Sequence, residues 1–185
     1  MRLFIAAQIE DENKKTIFEI QKQYKARSIK GTFTRIENYH LTLKFLGEAE
    51  KELISKIIFV MDRAAEESAS FAFTSGNAGC FKRTEGSVLF LGIDKGADDI
   101  WKLSAILEEE LFKSGFKKEE KVFTPHITLG RRIKFKNDFN LIAKDIVLPK
   151  ITFDCSAITL MESFTEKKIL CYNPLYSVKL QEKNY

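Results

Sequence analysis

Histidine, cysteine, proline and tryptophan are scarce in this 185-residue chain, which has two, three, three and one of them. Cys80, Cys155 and Cys171 are odd in number, far apart and without a C-x-x-C pair. That excludes a disulfide framework and a cysteine zinc site, and it suits small core residues in a reducing cytosol. Three prolines and nine glycines exclude collagen-like or low-complexity architecture. No apolar run approaches the roughly 20 residues a bilayer span needs. The apolar start Leu3–Ala7 runs within a few residues into Asp11 and Glu12, so it is too short for a signal sequence and reads as a buried strand. The expectation is a cytoplasmic protein with no membrane partner. No G-x-G-x-x-G, Walker or G-x-S-x-G motif occurs, which argues against dinucleotides, nucleoside triphosphates and a serine-hydrolase elbow. An excess of one charge is also missing: 30 Lys+Arg against 26 Asp+Glu leave +4, which permits a polyanionic partner without requiring one.

What is present is a hydrophobic fraction of 44%, enough to bury a core, on a length that suits one unit over residues 1–185, built of two small, intimately packed lobes. Residues 2–9 read as a strand. Residues 11–26 read as a helix with Asp11 as N-cap and Ile17, Ile20 and Tyr24 on one stripe. His40–Leu46 alternates as a strand, and 50–67 and 98–114 carry helical periodicity. Strands are expected at Phe71–Thr74, Val88–Ile93, His126–Leu129, Ile151–Phe153, Ile158–Met161 and Ile169–Val178, while 132–147 has no clear period. The segment Leu3-Phe4-Ile5-Ala6-Ala7 is echoed by Leu89-Phe90-Leu91-Gly92-Ile93. Each is followed by an amphipathic helix and then by a His-x-Thr-Leu strand, with one offset of 86 residues throughout (3 to 89, 40 to 126). This registered repetition points to a duplicated strand–helix–strand unit related by a pseudo-twofold.

Both histidines of the chain lie in that motif, as His40-Leu41-Thr42-Leu43 and His126-Ile127-Thr128-Leu129. In a strand, residues i and i+2 share a face, so each imidazole points the same way as its Thr hydroxyl. Imidazole titrates near neutrality and serves as acid or base, and the hydroxyl can donate to an anionic oxygen. A pseudo-twofold would bring two such pairs around one small anion such as a phosphate. Two histidines without carboxylates at ligand spacing make a poor metal site.

The residues Met1-Arg2-Leu3-Phe4-Ile5-Ala6, Asn38–Glu48 (NYHLTLKFLGE) and Phe123–Arg131 (FTPHITLGR) resemble the two-histidine (2H) phosphoesterase superfamily. The likeness is to its RNA 2',3'-cyclic phosphodiesterase branch, also called 2'-5' RNA ligases, and it runs in order over nearly the whole chain. Thr32–Ile36 departs from the family, which often carries a Trp there. The resemblance implies an α+β, bilobal fold with antiparallel-rich sheets lining a central cleft. It implies hydrolysis of a terminal 2',3'-cyclic phosphate to a 2'-phosphate, with reverse 2'-5' ligation as an associated activity. It assigns His40 as proton donor and His126 as proton acceptor, roles that the near-symmetric motifs leave open. Thr42 and Thr128 would hold the non-bridging oxygens, with no metal, no cofactor, and a monomer acting on RNA ends.

Arg131 also matches the family. Simple alternation turns it away from His126, Thr128 and Gly130, unless Gly130 allows a bulge. Phe45 holds the equivalent place after His40, suited to stacking on a base or to the core. Lys117-Lys118, Arg131-Arg132 and Lys134 are read either as a solvated face or as groups that steer RNA ends. Small cyclic nucleotides or 2'-5' oligonucleotides are alternative substrates, and a nucleotide- or RNA-binding module without turnover is the alternative outside enzymes.

Overall fold

The computed structural model describes residues 1–182. Its strands are β1 (Arg2–Gln8), β2 (Ser28–Phe33), β3 (His40–Glu48), β4 (Phe71–Phe81), β5 (Ser87–Ile93), β6 (His126–Phe135), β7 (Thr152–Cys155), β8 (Ala157–Glu166) and β9 (Ile169–Lys179). The helices are α1 (Asp11–Ala26), α2 (Ile54–Glu66), α3 (Ala97–Lys113) and the short α4 (Phe139–Lys144). The fold is α+β, with one curled antiparallel sheet in the order β7-β4-β5-β6-β3-β1-β8-β9. β2 lies off this path and pairs with β6. No helix among the described residues is long and apolar enough to cross a membrane.

The two His-x-Thr strands sit side by side at the middle of the sheet. They touch through one registered pair, Leu41 opposite Ile127, and these residues are themselves 86 apart. On either side the order is mirrored, with β5 beside β6 and β1 beside β3. The repeat is approximate. Gln8 faces His40 across its pair, whereas Gly92, and not Asp94, faces His126, so the second strand pair is slipped by two residues.

The helices form where the periodicity places apolar stripes. α1 buries Ile17, Ile20 and Tyr24, and α3 buries Ile100, Leu103, Leu107 and Leu111. One expectation is corrected: Glu10, not Asp11, is the N-cap of α1, and its side chain makes no capping hydrogen bond. Asp11 and Glu12 instead lie in the first turn, where a carboxylate meets the positive end of the helix dipole. The expected helix 50–67 begins with a 3-10 turn at Lys51–Leu53. The segment 132–147, which showed no period, holds the end of β6 and all of α4.

The repeats exchange their helices. Ser104 Oγ of α3 donates to the Leu43 carbonyl of β3 (3.0 Å), and Gln21 Nε2 of α1 donates to the Leu129 carbonyl of β6 (2.8 Å). Leu43 and Leu129 are again 86 apart. Each repeat's helix is thus tied to the other repeat's His-x-Thr strand, and one buried cluster draws on both.

Candidate active site

β3 and β6 begin with the same order of burial: half-exposed His, buried Leu or Ile, half-exposed Thr, two buried residues, then an exposed residue. The two consecutive buried residues mark a β-bulge. On β6, Thr128 pairs with Phe90 and Gly130 with Leu89, so two steps on one strand match one on the other. On β3, Thr42 pairs with Ala6 and Lys44 with Ile5. The extra residue reverses the alternation, and Arg131 and Phe45 return to the face of the histidines. Gly130 is suited to the bend, because a Cβ there would lie 2.9 Å from Ile133 Cδ1 and 3.2 Å from the Thr32 carbonyl oxygen. Arg131 is exposed, and its positive charge acts on His40, His126 and Tyr172. It therefore lies on the histidines' side of the sheet, as the bulge allowed and simple alternation did not.

Each imidazole is fixed by the same contact. Nδ1 of His40 lies 2.8 Å from the Asn38 carbonyl, and Nδ1 of His126 lies 2.6 Å from the Thr124 carbonyl. A carbonyl only accepts, so Nδ1 carries the hydrogen in both rings, and each neutral ring keeps its Nε2 lone pair. His40 Nε2 accepts from Thr42 Oγ1 at 2.9 Å. Burial pushes His40 down to about 4, opposed by the bond to Asn38 and aided by the charges of Arg131 and His126. Burial also lowers His126, again aided by Arg131.

Aromatic rings that sequence reasoning did not single out enclose both histidines. Phe4 lies 4.8 Å from His40 and Phe90 lies 5.3 Å from His126, centroid to centroid. The offset of 86 between Phe4 and Phe90 was the one available signal. Tyr172 meets His40 edge-on at 5.1 Å, and Phe81 meets His126 at 5.4 Å. Tyr172 arrives on β9, which is tied to the site by Asn38 Nδ2 donating to the Leu170 carbonyl (2.8 Å). Phe45 is 54% exposed with its ring 6.2 Å from that of Phe4, so it lies on the site's rim and not in the core. Lys44 is buried instead, in an ion pair with Glu108 at 2.5 Å. Lys117 and Lys118 lie in the irregular segment before β6, where Lys118 pairs with Glu109 at 3.2 Å. Among the described residues, no three His, Cys, Asp or Glu side chains converge as a metal-binding group.

This arrangement of two opposed His/Thr pairs and one arginine can be compared with known proteins. The Thermotoga maritima RNA 2',3'-cyclic phosphodiesterase is 35% identical over 182 residues, 98% of this chain and 96% of that protein. The chain belongs to the LigT-like phosphoesterase family, the enzymes named RNA 2',3'-cyclic phosphodiesterase. The family profile described as LigT like Phosphoesterase matches residues 8–90, which include the first His-x-Thr motif. The RNA 2',3'-cyclic phosphodiesterase of Methanocaldococcus jannaschii is 31% identical over 138 residues, with 73% of each chain covered. E. coli LigT, solved with 3'-AMP, superposes with a TM-score of 0.80 at 25% identity over 98% of both chains. A Thermus thermophilus protein shares the LigT-like fold at a TM-score of 0.79, 23% identity and full coverage of both chains.

Proposed function

We propose that this protein hydrolyses a terminal RNA 2',3'-cyclic phosphate to a 2'-phosphate, using its two histidines as general base and general acid without a metal. The observation that carries this reading is the matched imidazole geometry. Both Nδ1 atoms are held by carbonyls, which leaves two Nε2 atoms for proton transfer, each with a Thr hydroxyl on its face. The names of its relatives supply the substrate class.

In the proposed reaction, Nε2 of neutral His126 takes a proton from water as its oxygen bonds to phosphorus. The bond from phosphorus to the ribose 3'-oxygen breaks, and Nε2–H of protonated His40 gives that oxygen its proton. Thr42, Thr128 and Arg131 hold the non-bridging oxygens as negative charge develops there. The family resemblance favours this direction. His126 suits the base, because burial keeps it neutral near neutral pH. His40, pushed down to about 4, becomes the acid only when the phosphodiester anion enters beside it and favours the imidazolium. The same forward step with an RNA 5'-hydroxyl attacking in place of water, and the ribose 3'-oxygen again leaving, is a 2'-5' ligation.

The test is an RNA ending in a 2',3'-cyclic phosphate, incubated with excess EDTA. Phosphorus NMR should show a terminal 2'-phosphate and essentially no 3'-phosphate. A dominant 3'-phosphate would reverse the roles of His40 and His126. Activity lost to EDTA and restored by a divalent ion would replace the proposal with metal-assisted hydrolysis.

A further inference from the structure

The two repeats offer matched His/Thr pairs at the phosphate and a different charge balance beyond it. A second bulge follows the first in each central strand. On β6, Arg131 pairs with Thr32 and Lys134 with Lys30, so Arg132 is the extra residue, at φ 55. On β3, Phe45 pairs with Phe4 and Gly47 with Leu3, so Leu46, which is 86 residues before Arg132, is the extra one. The bulge keeps Lys134 on the face of His126, Thr128 and Arg131. Lys30 and Thr32 share that face as i and i+2 on β2, while Gly31 turns inward onto Ile133.

The rung beyond Arg131 is therefore Lys30 opposite Lys134, both exposed and without a carboxylate partner among the described residues. Like charges directly opposite in a sheet destabilise it, and a polyanion would relieve that repulsion. The equivalent rung beyond Phe45 is Arg2 opposite Glu48, a balanced pair, with the N-terminal ammonium 3.6 Å from Glu48. β2 also has no counterpart. The residues 86 further on, Ser114–Glu119, form no strand.

We infer that the Lys30–Lys134 rung is a binding site for the phosphodiester 5' to the terminal nucleotide, so that the RNA strand leaves the cleft over β2 and β6 and not over β3. This rests on the reading of the cleft as an RNA cyclic-phosphate site. The rung lies two residues along β2 from Arg131's partner, about 7 Å away, comparable to the step between phosphates of an extended single strand. Positioning phosphates with Lys and Arg carries no base preference, so the subsite favours length over sequence.

The test compares a nucleoside 2',3'-cyclic phosphate with a dinucleotide ending in the same cyclic phosphate, which adds one upstream phosphodiester. Wild type should favour the dinucleotide by about 10-fold or more in kcat/KM. That preference should fall as salt rises, with a log–log slope of about −1. The double variant K30E/K134E should lose the preference and its salt dependence while turning over the mononucleotide as before. No preference in wild type, or equal losses on both substrates in the variant, would overturn the assignment. If wild type hydrolyses neither, the hydrolytic reading fails by itself, and anisotropy of a fluorescent RNA ending in a 2'-phosphate decides the rung. Weaker binding in the variant then supports the assignment, and unchanged binding overturns it.

Discussion

His40 and His126 differ from ordinary strand histidines in having each Nδ1 bonded to a carbonyl two residues earlier in the chain. Replacing either with Ala should lower kcat by about 100-fold or more while circular dichroism stays native, because a proton carrier is removed from a preformed site. Full activity in either variant would end the acid–base proposal. Thr42→Ala and Thr128→Ala should cost less, since each removes only a hydrogen bond to phosphate; if both were silent, that contact would be wrong. Titration gives a second test at this scale. In the free enzyme His40 should titrate at about 4 by NMR. Added inorganic phosphate should raise that value, and Arg131→Gln should raise both histidines by removing a positive charge. The bell in kcat/KM should therefore peak below the ordinary imidazole value of about 6.5, and the kcat bell at higher pH, with limbs that belong to the coupled pair. Coincident bells would remove phosphate-driven protonation from the mechanism. The same shift acts on folding. Between about 6.5 and 4 the unfolded chain binds more protons than the folded one, so stability is full above this window and is lost as the pH falls through it.

At the scale of elements, the decisive feature is the bulge, and Gln21 holds the one on β6 from outside the strand. It is buried, and Nε2 donates to both the Thr34 carbonyl (2.7 Å) and the Leu129 carbonyl (2.8 Å). Gln21→Leu keeps the volume and removes both bonds, leaving the Thr34 oxygen short of a donor at a cost of about 1–3 kcal/mol. If the bond positions Arg131, the variant should also lose kcat/KM, and its His126 should titrate closer to an ordinary imidazole. A lower Tm with an unchanged His126 titration would reduce Gln21 to a packing residue. β2 escaped sequence reading for a physical reason: SIKGTF lies at an edge with its middle four residues exposed, so it has no buried face to create a period. Its glycine is demanded by the partner strand, since a Cβ at Gly31 would collide with the Ile133 side chain.

For the whole molecule, the exchange of helices makes the halves interdependent. The apolar underside of β3, with Leu41 and Leu43, depends on α3 from the second repeat, and Lys44 is neutralised there by Glu108. A fragment of residues 1–95 should therefore fail to fold cooperatively, although it contains a complete strand–helix–strand unit. A sharp thermal transition and dispersed NMR amide signals from that fragment would show instead that the repeats are autonomous.

The sequence by itself determined the elements whose burial is periodic, the offset of 86 residues, and the pairing of each histidine with a threonine on one face. All of these depend on residues within a turn or a strand of one another, or on the order of such segments along the chain. The tertiary structure decided which way Arg131 and Phe45 point, which rings enclose the histidines, and which helix supports which strand. A bulge is a mismatch between two paired strands, and Phe4, Tyr172 and Gln21 reach the site from distant parts of the chain. Such features belong to the register between partners, and no single strand's alternation contains them.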